Sequence, residues 1–166
     1  MLRKIAIAVV LFVLPLGAMA QKFAHMNSQE IIVQMKEYQD AVTTLENMQK
    51  GYQEELQRTG EEFNKKYQEY IAQADSLPRN IAERRQKELE DMAQRQQQFQ
   101  QEAEQSMMQA QQEAMAPILN KVNDAVQAIG KADGYVYIFD LASTSIPYVG
   151  SESVDITAKI KAQLGI

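Results

Sequence analysis

One interruption constrains this chain more than any other feature. Asp75-Ser76-Leu77-Pro78 separates two long stretches that each hold a helical period. Before it, apolar side chains recur at steps of three and four: Tyr38, Val42, Leu45, Met48, Tyr52, Leu56, Phe63, Tyr67, Tyr70 or Ile71, and Ala74, with one gap at Thr59-Gly60. After it come Ile81, Leu89, Met92, Phe99, Ala103, Met107, Ala110 and Ala114. That spacing lines up one narrow face of a helix, and a narrow stripe suits a two-helix coiled coil better than a globular core. Proline disfavours helix at the residue before it and is welcome in a first turn, so Pro78 marks the tip of a hairpin. Asn80 with Glu83 offers a capping box there. At ~1.5 Å per residue, about 35 residues reach ~50 Å outward, and Arg79 to Ala116 returns by a matching length. Equal arms joined by a short turn predict antiparallel packing.

The return arm is unusual in carrying ten glutamines between Gln94 and Gln112. Glutamine forms helix well and adds no apolar burial. A linker composition is the other way to read it, but the helical period continues and no Gly or Pro intervenes. Gly51 and Gly60 each weaken the outgoing helix by about 1 kcal/mol relative to Ala.

Strand-forming residues gather at the two ends of the chain. Phe23-Ala24-His25-Met26 predicts a short strand, and Asn27 with Glu30 resembles a capping box opening a helix at Ser28. Asp40 is placed to cap the arm's own helix. Pro117 ends or kinks the return arm. Ile118, Val122, Ala125, Val126 and Ile129 form a richer helix, which Gly130 and Gly134 stop. Tyr135-Val136-Tyr137-Ile138-Phe139 predicts a strand and Ile146-Pro147-Tyr148-Val149 a second, confined by its proline to an edge or a strand end. Asp155 caps a last helix bearing Ile156, Ile160 and Leu164. The fold expected is α+β and mostly α: a β-containing body from residues 21–39 and 117–166, and a helical hairpin arm from 40–116 with its tip near 75–79.

Such a body, about 70 residues, is small for a self-sufficient core. The chain has no cysteine to staple it, and oligomerisation is the staple left. Phe23, Met26, Tyr135, Tyr137, Phe139, Ile146 and Tyr148 are the candidate interface residues.

Residues 1–20 read as a cleavable export leader. Arg3 and Lys4 precede the apolar run Ile5–Leu16, and Ala18-Met19-Ala20 fits a small-x-small cleavage site, with cleavage after Ala20. A spanning helix would need roughly 17–25 apolar residues. With no cysteine after it, the leader is not that of a lipoprotein. Export without cysteine is compatible with a bacterial periplasm. Of 17 basic and 22 acidic side chains, Arg3 and Lys4 leave with the leader, so the remainder carries −7. That balance argues against nucleic acid as a partner.

Catalytic and cofactor chemistry finds no constellation. His25 is the sole histidine and sits in a predicted strand. Ser143, Thr144 and Ser145 read as a polar turn after Asp140. The arm carboxylates interleave with bases, as in Glu61, Glu62, Lys65, Lys66 and Glu69, which is the pattern of a solvated helix face. There is no phosphate-binding glycine loop and no metal-ligand spacing. No cofactor and no enzymatic activity are expected. Arg79, Arg84, Arg85 and Lys87 against Glu83 make a local +3 patch beside the tip. It is either ordinary surface charge or a contact for an anionic membrane surface or an acidic segment.

The whole arrangement resembles the Skp/OmpH family of periplasmic chaperones. The likeness is carried by Lys22-Phe23-Ala24-His25-Met26-Asn27, Pro117-Ile118-Leu119-Asn120-Lys121-Val122, Gly134-Tyr135-Val136-Tyr137-Ile138-Phe139-Asp140 and Asp155-Ile156-Thr157. It implies a jellyfish-shaped homotrimer joined through its strands. Three hairpins would enclose a cavity that holds unfolded outer-membrane proteins without ATP. On that reading the client-binding candidates are Tyr52, Leu56, Phe63, Tyr67, Met92, Phe99 and Met107. Family members are often strongly basic, whereas here only the tip patch offers electrostatic attraction. The family also separates a short first helix from the arm, and no Gly or Pro marks such a break between Ser28 and Lys50. The competing reading is a structural or adaptor coiled coil of the cell envelope that binds one folded partner.

Overall fold

The computed structural model describes residues 21–166; the expected leader and its cleavage site lie outside the described residues. Strand β1 (Lys22–Met26) is followed by helix α1 (Ser28–Ile32) and the long helix α2 (Lys36–Gln73). After a turn comes α3 (Arg79–Asp133), then β2 (Tyr135–Asp140), β3 (Ser153–Asp155) and α4 (Thr157–Leu164). Among the described residues no helix is long and apolar enough to cross a membrane.

The helical hairpin turns where Ser76-Leu77-Pro78 predicts it. The Ser76 and Leu77 amides close the turn onto the Gln73 carbonyl, and α3 starts directly after Pro78. Proline takes the N-cap itself, so Asn80 lies inside the helix and forms no capping box. The Gln-rich stretch is helical throughout. α3 also runs unbroken through Pro117, so of the two expectations for this residue, an end or a kink, the end does not occur. Proline leaves one carbonyl of the preceding turn without its partner. Burial of Ile118, Val122, Ala125 and Ile129 on one face just beyond it offsets that loss.

The arm's beginning differs from expectation. α2 starts at Lys36, and Asp40 is an interior residue bonded to Lys36 at 2.7 Å. The break from α1 needs neither Gly nor Pro. Met35 takes an extended conformation (φ −70°, ψ 133°) and buries its side chain in the core, so packing imposes the bend. At α1, the Glu30 amide donates to Asn27 Oδ1 at 3.2 Å, as a cap should. The reciprocal half differs, because the Asn27 amide donates to Thr157 Oγ1 instead.

The sheet has the order β2-β1-β3, with both pairs parallel. A parallel pair needs a long crossover, and here the whole hairpin is the crossover between β1 and β2. The predicted strand at 146–149 does not form. Those residues are irregular, and the third strand is Ser153–Asp155. Pro147 lacks a ladder donor, whereas Ser153-Val154-Asp155 runs into a helix start that fixes its direction. Asp155 Oδ1 accepts from the Thr157 amide at 2.8 Å, so it caps α4 as expected. Gly134 ends α3 at φ 71°, a left-handed geometry that other residues adopt only under strain.

One core holds the two chain ends together. Ala24, Met26, Ile31, Ile32 and Met35 meet Ile118, Val122, Ala125 and Ile129 of α3, and Ile156 and Ile160 close the third side. Asp140 ties the far end of β2 to α1: Ser28 Oγ and the Ser28 amide donate to its two carboxylate oxygens at 2.6 and 3.0 Å. Burial alone would raise the Asp140 carboxyl, but the Ser28 bonds and the Ala142 amide outweigh it and hold it below the usual carboxylate value. Asp155 is likewise held down, chiefly by Thr157. A carboxyl depressed in the folded state stabilises above its unfolded value, about 3.9 for Asp, and loses that contribution as pH falls through the folded value. Melting temperature should therefore drop on acidification below about pH 4. Asp140→Asn should lower stability at pH 7 and flatten this acid limb, as calorimetry at a series of pH values will read.

Candidate functional site

The outer face of the sheet is the first candidate surface. The parallel register places Phe23 opposite Tyr137, and His25 between Phe139 and Asp155, so these side chains share the face turned away from Ala24 and Ile138. Phe23 and Tyr137 stack with ring centroids 6.3 Å apart and planes within 4°, and Phe139 continues the stack at 6.0 Å. Tyr137 remains 61% exposed. His25 Nδ1 and the Ser153 hydroxyl share a hydrogen bond of 2.9 Å, which gives the lone histidine a structural partner. The irregular segment after β2 curls over the edge of this face. Ile146, Tyr148 and Val149 join Phe23, His25 and Phe139 around an apolar concavity, and Tyr148 is 81% exposed.

Not every expected interface residue lies there. Met26 is 6% exposed and belongs to the core, and Tyr135 packs against that core. Strand alternation sets Met26 on the face opposite Phe23, and Tyr135 lies before the register shift between Lys22 and Phe23, which separates it from the Tyr137 face.

The arm is the second surface. The stripe that the sequence shows is the seam between α2 and α3. Tyr52 meets Phe99 edge to face at 5.8 Å, and Phe63 stacks on Tyr67 at 6.2 Å. Cross-arm ion pairs Lys121–Glu37 and Lys66–Glu88 flank the seam at its base and near the tip. Of the seven client-binding candidates, Tyr52, Leu56, Phe63, Met92, Phe99 and Met107 are half-buried in or beside this seam, and Tyr67 is exposed. No residue of α2 is buried, and within residues 79–116 only Leu89 and Ala103 of α3 are. Two exposed apolar side chains escaped the sequence reading: Met108, next to the stripe residue Met107, and Ile71, weighed there only as an alternative to Tyr70.

At the tip, Arg79 Nε donates to Glu83 Oε1 at 2.8 Å in an exposed, weak pair. Arg84, Arg85 and Lys87 are exposed on the first turns of α3. Lys66 draws the Glu88 carboxyl below its ordinary value, with Arg85 and Arg84 adding to the pull. Among the described residues no group of acidic and histidine side chains is arranged to hold a metal ion.

Comparison with known proteins adds three findings. The family model described as "Outer membrane protein (OmpH-like)" matches residues 22–164. A crystal structure of an OmpH-like protein from Caulobacter crescentus, described as a candidate outer membrane chaperone, superposes with a TM-score of 0.73 at 14% identity, covering 87% of this chain and 83% of that one. At that identity the likeness speaks for the fold. No curated protein matches this sequence.

Proposed function

The chain belongs to the OmpH-like outer membrane protein family, and from that premise we propose that it is a periplasmic, ATP-independent holdase. It would bind unfolded outer-membrane proteins between the helical arms of a homotrimer and keep them from aggregating. The observation that carries the reading is a division of labour within one chain. The body (21–39 and 117–166) buries a compact core yet leaves a stacked aromatic face uncovered. The arm (40–116) spends its few large apolar groups on a shallow seam and leaves Tyr67, Ile71 and Met108 in solvent. An uncovered aromatic sheet face suits self-association, as large exposed apolar patches generally mark interaction sites. A weakly apolar arm rich in Met and Ala adapts to many chains and releases them. The exposed Arg84, Arg85 and Lys87 at the tip suit a peripheral contact with anionic membrane or an acidic client segment.

The test joins mass with activity. Light scattering should give three times the chain mass. Stoichiometric trimer, without ATP, should then suppress the turbidity of a urea-unfolded outer-membrane β-barrel protein after dilution. A monomer that leaves the turbidity unchanged overturns the reading. A pull-down that returns one stoichiometric folded protein, rather than a spread of barrel proteins, would favour the adaptor alternative.

A further inference from the structure

Of the ten glutamines between Gln94 and Gln112, only Gln96 is half-buried, its amide facing Gly60 across the seam; the other nine are exposed. A shallow groove runs along one side of the hairpin at mid-arm. Its floor is Tyr52 and Leu56 from α2 with Ala103 and Met107 from α3, and Met108 stands at its edge. Its rims are Gln49 and Gln53 on one side and Gln100 and Glu104 on the other. All four rim side chains are exposed. Gln49 and Gln53 make no side-chain hydrogen bond among the described residues, and Gln100 reaches Glu104 only at 3.4 Å. The next concavity toward the tip is more charged, with Glu55, Arg58, Glu62, Lys66 and Arg95 around Met92 and Phe99.

We propose that this groove binds extended, unfolded polypeptide by its backbone, with the glutamine amides pairing peptide groups while the floor takes alternate side chains. The spacing supports it. Residues four apart on a helix are separated by ~6 Å along the axis. A strand repeats every two residues, ~6.6–6.8 Å. Gln49 with Gln53, and Gln100 with Glu104, therefore step along the groove at nearly the strand repeat, so each rim meets every second peptide group. A side-chain amide donates and accepts as a peptide group does, and three of the four rim groups are neutral, matching a neutral backbone. Backbone recognition is indifferent to sequence, and an apolar floor at every second position favours chains that alternate apolar and polar residues. Methionine at the floor conforms to differing side chains. This deepens the holdase reading and rests on it: the occupant is a segment of the unfolded client.

The test uses the full assembled protein and two fluorescein-labelled ten-residue peptides of alternating valine and serine. In one of them every second peptide N–H is replaced by an ester oxygen, which removes the donor and adds no bulk. The wild-type protein should bind the all-amide peptide at least fivefold more tightly. The triple variant Gln49→Leu, Gln53→Leu, Gln100→Leu should bind both peptides alike, at the weaker level, with its helicity unchanged by circular dichroism. If leucine causes association, alanine at the same positions serves, since it keeps the helix and removes the amide. Equal binding of both peptides by the wild type, or a preference that survives in the triple variant, overturns the inference. So does failure to bind either peptide. Turbidity suppression of the unfolded barrel protein is read alongside, so that loss of this inference and loss of the holdase reading are told apart.

Discussion

Tyr137→Asp should convert the assembly to monomer and abolish its capacity to hold an unfolded barrel protein. Tyr137 stands mid-ladder, stacked on Phe23 across the strands and next to Phe139 along its own. It contributes nothing to the core, being 61% exposed, so the variant should fold. Buried aromatic anchors at interfaces contribute about 2–4 kcal/mol each, and a carboxylate forced into such a face adds a desolvation penalty. Repeated at every contact of a symmetric assembly, that loss raises the association threshold well over a hundredfold, because each ~1.4 kcal/mol is tenfold. Light scattering at micromolar concentration should then report the single-chain mass, with helicity unchanged. Holding should vanish with it, because separate hairpins enclose no cavity. If the mass is unchanged, the aromatic face is not the contact between copies.

Helical period finds what a helix pair buries. It therefore located Tyr52, Leu56, Phe63 and Phe99, and these lie along the seam. A surface that meets a client is what the seam leaves out, such as Met108 and Ile71, and no period selects it. The tip was legible because Pro78 acts locally, through its own ring and missing amide. The start of the arm was not, because the bend at Met35 comes from tertiary burial, which leaves no mark among its neighbours. Strand composition found β1 and β2 but could not give the parallel register that places Phe23 beside Tyr137. The same composition misled at Ile146–Val149, where apolar residues are in place but Pro147 lacks a ladder donor.

Ile118→Ala should destabilise the whole chain, arm included, by about 2–5 kcal/mol, the usual range for emptying a buried aliphatic site. Ile118 is among the largest fully buried side chains and is the first core residue of α3 beyond Pro117. A domain of this size has a total stability of about 5–15 kcal/mol, so the loss is a large fraction of it. The arm should melt with the body for a structural reason. α3 is one helix from tip to core, and within residues 79–116 it buries only Leu89 and Ala103. Such a seam cannot hold the hairpin without the body's anchor, whatever the helix propensity of its glutamines. Urea titration followed by circular dichroism at 222 nm should show a single transition shifted to lower midpoint. Phe63→Ala, half-buried in the seam, should shift it less than half as far. Two separate transitions, with the arm signal unmoved in Ile118→Ala, would mean that the hairpin stands alone. The tie between core and arm would then be mechanical rather than energetic.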